Sequence, residues 1–314
     1  MAQSNNEILR KAQMALGDLD NGGKLPPNVA TKFIKDTAAD APLLRMMRTV
    51  KMPEPEMKIP KITIVGRVAH AVAAGTALPE EDRTAPVTSE VSVTTEEMVA
   101  EVPLNDSIIE DNVEKKGLWK VVEALMRAQI AVDVQENFVS GDTDDADPDL
   151  ALFNGLIKLI TSNNVPAAAQ PWSVDLAEQT MSVLPEKYLD RDEMNMRFLG
   201  AAKTERKYRK SLVDRETALG DLLLEKKKGS SPMGIQMVNI QGWPTSYEGT
   251  ANRTVEILMN PKQFIGGWHR DIYLEFERSA RSRLTTMVFS YRVGCALEEE
   301  KATASCTNVQ VPTS

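Results

Sequence analysis

Residues 104–142 read Leu104-Asn105-Asp106-Ser107-Ile108-Ile109-Glu110-Asp111-Asn112-Val113-Glu114-Lys115-Lys116-Gly117-Leu118-Trp119-Lys120-Val121-Val122-Glu123-Ala124-Leu125-Met126-Arg127-Ala128-Gln129-Ile130-Ala131-Val132-Asp133-Val134-Gln135-Glu136-Asn137-Phe138-Val139-Ser140-Gly141-Asp142. From about Glu114 the apolar positions Leu118, Val121, Val122, Leu125, Met126, Ile130 and Val134 to Phe138 follow one drifting helical face, and Ser140-Gly141 ends it. Asn105 or Asp106 can cap a short turn ahead of it. About 25 residues rising about 1.5 Å each make a rod of nearly 40 Å, longer than an average globular helix. The spacing therefore predicts a spine, with Leu118, Trp119, Val122, Met126 and Ile130 as apolar anchors along it.

The chain ahead of this helix is poor in large side chains. Phe33 is its one aromatic residue, and the other 15 of the 16 lie from Trp119 onward. Aromatic rings supply much of the area a core buries, so residues 34–118 are not expected to fold around a core of their own. Residues 1–54 read as an arm, with a short amphipathic helix near Ile8, Leu9, Met14 and Leu16, a turn at Asp20-Asn21-Gly22-Gly23, and Pro26-Pro27 opening a second helix. Helices this short need a partner surface. Residues 59–72 and 88–104 are rich in Ile, Val and Thr, and Ser89 to Thr94 alternate as a half-buried strand does. They are predicted to pair as a long hairpin with the polar tip Ala73 to Pro86, which needs support from a neighbouring surface. A plain sheet edge within the chain ranks lower, because no aromatic partner strand lies nearby in sequence.

Beyond the spine, Asp149 to Ile160, Ser173 to Leu184 and Lys203 to Arg215 are predicted helices, the second stopped by Pro185. Strands are predicted at Gly234 to Ile240, Val255 to Met259, Asp271 to Glu277 and Thr285 to Leu297. In the last, Met287, Phe289, Tyr291, Val293, Cys295 and Leu297 share one face, and at about 3.3 Å per residue it runs roughly 40 Å, the length of the spine. Helices first and antiparallel strands last predict an α+β fold. No internal repeat is present.

The 314 residues, 42% hydrophobic, are those of a soluble globular protein with about two domains. No stretch approaches the roughly 20 apolar residues that span a bilayer, and the first residues lack a secretory pattern, so no membrane contact is expected and the chain is expected to stay in the cytoplasm. A net charge of -8 argues against a dedicated nucleic-acid binder, since affinity for phosphate rests on concentrated Lys and Arg; contact with DNA should be weak and non-specific. Cys295 and Cys306 read as free thiols, the first with a packing role.

Each catalytic pattern fails on inspection. Gly17 to Leu25 resembles a phosphate loop, but its first glycine is misplaced and Leu25 stands where a hydroxyl is required. The run Gly141 to Asp149 lacks the ligands, glycine and closing glutamate of a calcium loop, with Ala146 and Phe153 at ligand positions, and reads as a solvated loop capping the next helix through Asp147 or Asp149. His70 and His269 have no zinc-motif company. The basic stretch Lys203 to Lys210 and Lys226-Lys227-Lys228 read as solvated faces, and Trp119, Trp172, Trp243 and Trp268 as core or interface anchors. No catalytic residue, cofactor site or metal site is expected.

In this order the segments resemble a family. Leu104 to Asn112, leading through Trp119 and Ala128-Gln129-Ile130-Ala131 to Asn137 to Asp142, looks like the passage from hairpin to spine helix to Gly-Asp loop in the major capsid proteins of tailed double-stranded DNA phages, the Hong Kong 97-like fold. Leu184 to Leu189, Asn195 to Phe198, Leu219-Gly220-Asp221 and Met233-Gly234-Ile235 are similar to a second stretch of that family, and Ile272 to Glu277 with Met287 to Glu298 to its final long strands.

The resemblance implies an N-terminal arm (1–54), an extended hairpin loop (55–104), a peripheral domain made of the spine segment (105–148) and the long strands (268–300), and an axial domain (149–267) with the C-terminal tail (301–314). It implies inter-subunit contacts from the hairpin tip at Leu78, Glu80, Glu81, Asp82 and Arg83, and from the arm at Phe33, Leu43, Leu44 and Met47. The implied function is structural: hexamers and pentamers of the chain form an icosahedral head in the virion, assembled in the bacterial cytoplasm around packaged DNA. The implied partners are the chain itself, a separate scaffolding protein, a portal and, in decorated heads, a decoration protein. The arm is too short for a built-in scaffold, and the hairpin tip has no lysine for covalent crosslinking. An encapsulin-like compartment is the competing reading; a metal-dependent hydrolase using the aspartates of 142–149 is the remote one.

Overall fold

Period-two alternation decides the last third of the chain: Met287, Phe289, Tyr291, Val293 and Cys295 are all buried, while Val288, Ser290 and Arg292 between them stay half-exposed. The computed structural model describes residues 41–64, 66–72, 75, 77–105, 118–189, 195–213 and 231–311, without the side chains of Leu118, Asp271 and Ile272. Phe33, the predicted arm helices, the cap at Asp106, the helix start near Glu114 and Lys226 to Lys228 lie outside the described residues. In chain order the elements are α1 (Pro42–Met46), β1 (Arg48–Lys51), β2 (Glu56–Thr63), β3 (Val87–Thr94), β4 (Glu96–Asn105), α2 (Leu118–Ser140), α3 (Leu156–Leu159), β5 (Asn164–Pro166), α4 (Val174–Ser182), β6 (Arg197–Gly200), α5 (Ala202–Val213), β7 (Met237–Asn239), β8 (Ser246–Tyr247), β9 (Thr250–Ala251), β10 (Arg253–Met259), β11 (Phe264–Ser279), β12 (Leu284–Leu297) and β13 (Ala304–Gln310). The fold is α+β.

Two sheets organise them. The long sheet has the order β1-β11-β12-β4, with β11 and β12 antiparallel over nearly their whole length and β1 parallel to β11. The spine α2 lies along one face: Trp119 meets Phe276 edge-on at 5.4 Å between ring centroids near one end, and Phe138 meets Phe264 at 6.0 Å near the other. Ile130 is fully buried in this core, and Trp119, Val122 and Met126 are partly buried against it. The second sheet, β5-β13-β10-β6-β7, is covered by α4 and α5, whose Leu176, Met181 and Tyr208 pack with Trp172, Phe198, Leu258 and Cys306. Ser173 caps α4 by accepting from the Leu176 N–H at 3.3 Å.

Five expectations are corrected. Residues 88–104 are not one arm of a hairpin: Thr95 divides them, β3 pairing with β2 while β4 crosses to the long sheet beside β12. Both the Thr95 N–H (3.0 Å) and its hydroxyl (2.9 Å) donate to the Pro55 carbonyl, which fixes that pivot. Strand β2 also ends at Thr63, short of the predicted 72. Asp149 to Ile160 is mostly loop with only the short α3, because the Asp145 and Asp147 side chains accept from the N–H groups two residues on and so compete with helix formation. The C-terminal segment is no tail, since β13 lies between β5 and β10. Finally, Leu43, Leu44 and Met47 are buried in the core of their own chain, with the Leu43 N–H donating to Gln135 Oε1 at 3.0 Å.

Candidate assembly surfaces

The root of the hairpin is seated by missing side chains. Gly267 and Gly294 face each other in the β11–β12 register, and the end of β3 crosses them. A Cβ on Gly294 would collide with the Thr94 carbonyl oxygen, and one on Gly267 would fall 2.8 Å from a Val93 methyl. Over this flat patch Met52, Val93, Ile265 and Ala296 form a small buried cluster, with Met57, Ile59 and Val91 packed on it. Lys61 pairs with the Glu299 carboxylate and donates to the Glu298 carbonyl at 3.3 Å.

Past its root the hairpin is apolar and open. Ile62 is 71% exposed and Ile64 59%, and Val68, Val72 and Val87 are exposed as well. A series this large on one projecting ribbon marks an interaction surface rather than scattered surface residues. At the tip, Glu80 to Asp82 make one 3-10 turn, the Arg83 guanidinium donates to the Leu78 carbonyl at 3.3 Å, and the Thr84 hydroxyl donates to the Arg67 carbonyl at 3.0 Å. Of the residues expected to make contacts there, Glu80, Glu81 and Arg83 are exposed, while Leu78 and Asp82 are half-buried. The aliphatic stripe was not singled out from sequence, although Ile62 and Ile64 already share the two-residue spacing of one strand face.

A second open surface belongs to the spine. Val121 and Leu125, one helical turn apart, are 45% and 66% exposed, and Val99 on β4 is exposed too.

The third surface is a groove of about 490 Å³ lined by Glu97 to Ala100 of β4, Asp133, Glu136 and Asn137 of α2, the loop residues Asp147, Asp149, Leu150 and Leu152, and Tyr291 of β12. Hydrogen bonds from Arg292 and Arg270 hold the Glu97 carboxyl below its usual range. Glu136 is pushed the other way, first by burial and then by Asp133 and Asp147.

The titratable groups expected from sequence lie apart from one another. Lys158 takes up Asp142 at 2.9 Å and Asp144 at 3.2 Å, and no three His, Cys, Asp or Glu side chains there are arranged to hold a metal ion. His70 sits 3.9 Å from Asp82 at the hairpin tip. Cys295 and Cys306 are buried free thiols, and burial raises both well above the usual thiol range. Of the tryptophans, Trp172 stacks edge-on with Phe198, Trp243 donates to the Val255 carbonyl at 2.8 Å, and Trp268 lies against Tyr291. Fully buried Glu256 is raised far above the carboxylate range by desolvation, which Thr204 and the Ala201 backbone offset only in part.

No protein-family model matches the sequence. A protein of Bacillus subtilis (strain 168) described as "Putative prophage capsid protein YqbE" is 31% identical over 310 residues, covering 98% of this chain and 99% of the relative. The chain belongs to the phage major capsid proteins. Among solved structures of the capsid fold, that of the satellite phage P4 procapsid including its size determination (Sid) protein superposes with a TM-score of 0.63 at 10% identity, over 99% of both chains. The holo-SrpI encapsulin complex of Synechococcus elongatus PCC 7942 superposes at 0.58 and 10% identity, over 86% of this chain and 88% of that one. The fold is thus shared by phage heads and an encapsulin, and it is the sequence relative that places this chain in the phage capsid family. No helix among the described residues is long and apolar enough to cross a membrane.

Proposed function

We propose that this capsid protein is the shell subunit of a tailed-phage head: it assembles with itself into hexamers and pentamers of an icosahedral container for packaged double-stranded DNA, its role mechanical and not catalytic. Its location is the virion, with assembly in the bacterial cytoplasm. Membership of the capsid family over nearly the whole chain carries the reading. The physical support is the hairpin, whose root is anchored in its own subunit while its aliphatic stripe stands in solvent.

In this reading residues 1–54 are the arm and 55–95 the loop that reaches a neighbouring subunit. The spine and the long sheet, now including β4, form the peripheral domain. Residues 149–259 and β13 form the axial domain. A scaffolding protein, a portal and, in decorated heads, a decoration protein are the further partners, and contact with DNA is weak and non-specific, in keeping with the net charge of -8. An encapsulin-like container is distinguished by its contents, nucleic acid against enzyme cargo.

Electron microscopy of the purified full-length protein should show closed particles. Deleting residues 73–87 should leave a subunit that still folds, because its core lies elsewhere, yet forms no stable shell. Normal particles from that deletion would refute the clamp.

A further inference from the structure

Arg278 near the end of β11 and Arg281 and Arg283 in the turn to β12 lie within six residues at the end of the long sheet. Arg283 holds a φ of 52°, which tightens the turn, and Arg281 and Arg283 are exposed with no ion pair to a described residue. The flanking strand β4 pairs only as far as Asn105 opposite Leu284, so no described strand flanks the turn itself.

The groove beside β4 is its chemical opposite. Asp133, Glu136, Asp147 and Asp149 line it without a cationic partner among the described residues, since the nearby Arg270 and Arg292 are both engaged by Glu97. Asn137, 5% exposed, lines the same groove, and its Oδ1 has no hydrogen-bond partner. A buried amide oxygen without a donor costs free energy until something supplies one. Asp133 accepts from Gln129 and Asp147 from the Asp149 N–H, yet no cation stands among the four carboxylates and that oxygen within the described residues. A guanidinium, with five N–H donors, no acceptor and a fork that matches a carboxylate, is the side chain that completes the set.

We propose that the arginine turn of one subunit seats in this acidic groove of a second copy, Arg281 and Arg283 facing Asp133, Glu136, Asp147 and Asp149. The contact cannot form within one chain. In register, Glu97 at the groove lies opposite Arg292, eight residues along β12 from Leu284, a separation of roughly 26 Å along a strand. The upward displacement of Glu136, due first to desolvation and then to Asp133 and Asp147, fits a groove that lacks its cation in the isolated subunit. The proposal rests on the shell reading for a second copy being at hand, and it specifies which faces meet.

Charge exchange tests it. R281E/R283E and E136R/D149R alter exposed side chains, so each isolated subunit should melt like the wild type. Each should lower particle yield about tenfold or more, since like charges then face one another across the contact. The four changes together should restore most of the yield. A D149C/S282C variant should give disulfide-linked dimers under mild oxidation, the native thiols being buried. Wild-type particles indifferent to both reversals, no recovery in the combined variant, or no dimer from the cysteine pair would overturn the contact and leave the shell reading standing. A wild-type chain that never assembles would overturn both. Particles that fall apart on chelation and ignore R281E/R283E would place a cation in the groove and exclude the arginines.

Discussion

Glu256 is a charged residue type inside an apolar sheet, and the fold makes room for it: a Cβ on Gly200 would run into its carboxyl group. The carboxyl is fully buried, and what Thr204 and the Ala201 backbone offer it does not make up for lost water, so desolvation holds it protonated well above the ordinary glutamate range, with Glu205 adding to the shift. The sign of the pH dependence follows. Above the ordinary value of 4.5 the unfolded chain releases this proton while the folded chain keeps it, so the stability gained from Glu256 is full below that pH and is lost as pH rises through the folded pKa. E256Q removes the titration without changing the shape. The variant should melt above the wild type at neutral pH, and the gap should close as the buffer approaches pH 4. A gap that stays constant across that range in thermal melts of the unassembled subunit would mean Glu256 is charged in the folded state.

Among the elements, the hairpin depends most on a single contact plane. Its root lies on Gly267 and Gly294, and at Gly294 the obstacle to a side chain is backbone, not a flexible group. G294A should therefore lift β3 from β12 and cost about 1–3 kcal/mol, the usual range for overpacking, seen as a lower urea midpoint and faster proteolysis between residues 64 and 86. Unchanged midpoint and cleavage would show that the root is not seated there. The same scale explains what could be read from sequence. Helix α2, α4, α5 and β12 were legible because each writes its period into consecutive residues. The division at Thr95 was not, because what fixes it is the Pro55 carbonyl, 40 positions away in sequence. Leu43, Leu44 and Met47 showed a need for burial, but an apolar pattern cannot say whether the partner is the chain itself or its neighbour. The acidic groove is built from segments around 97–100, 133–137 and 147–152, so no linear motif announces it.

For the whole molecule, the isolated subunit has already buried what it needs to fold, and the apolar surface it leaves open is what assembly can use. Leu125, 66% exposed, and Val121, 45% exposed, make the sharpest test, because they sit on the rigid spine and not on a projecting ribbon. Replacing them in V121S/L125S should alter subunit stability by no more than about 0.5 kcal/mol, as at most exposed positions. Between subunits the expectation differs, since fully burying such a side chain is worth about 1.5–3 kcal/mol. Even half of that for each residue raises the protein concentration needed for shell formation by about tenfold or more, and every subunit in the shell repeats the loss. Light scattering against concentration, beside thermal melts of the unassembled variant, separates the two quantities. A variant that assembles at the wild-type concentration would put this face of the spine on an open surface of the shell, and the clamp would then rest on the hairpin stripe and the arginine turn alone.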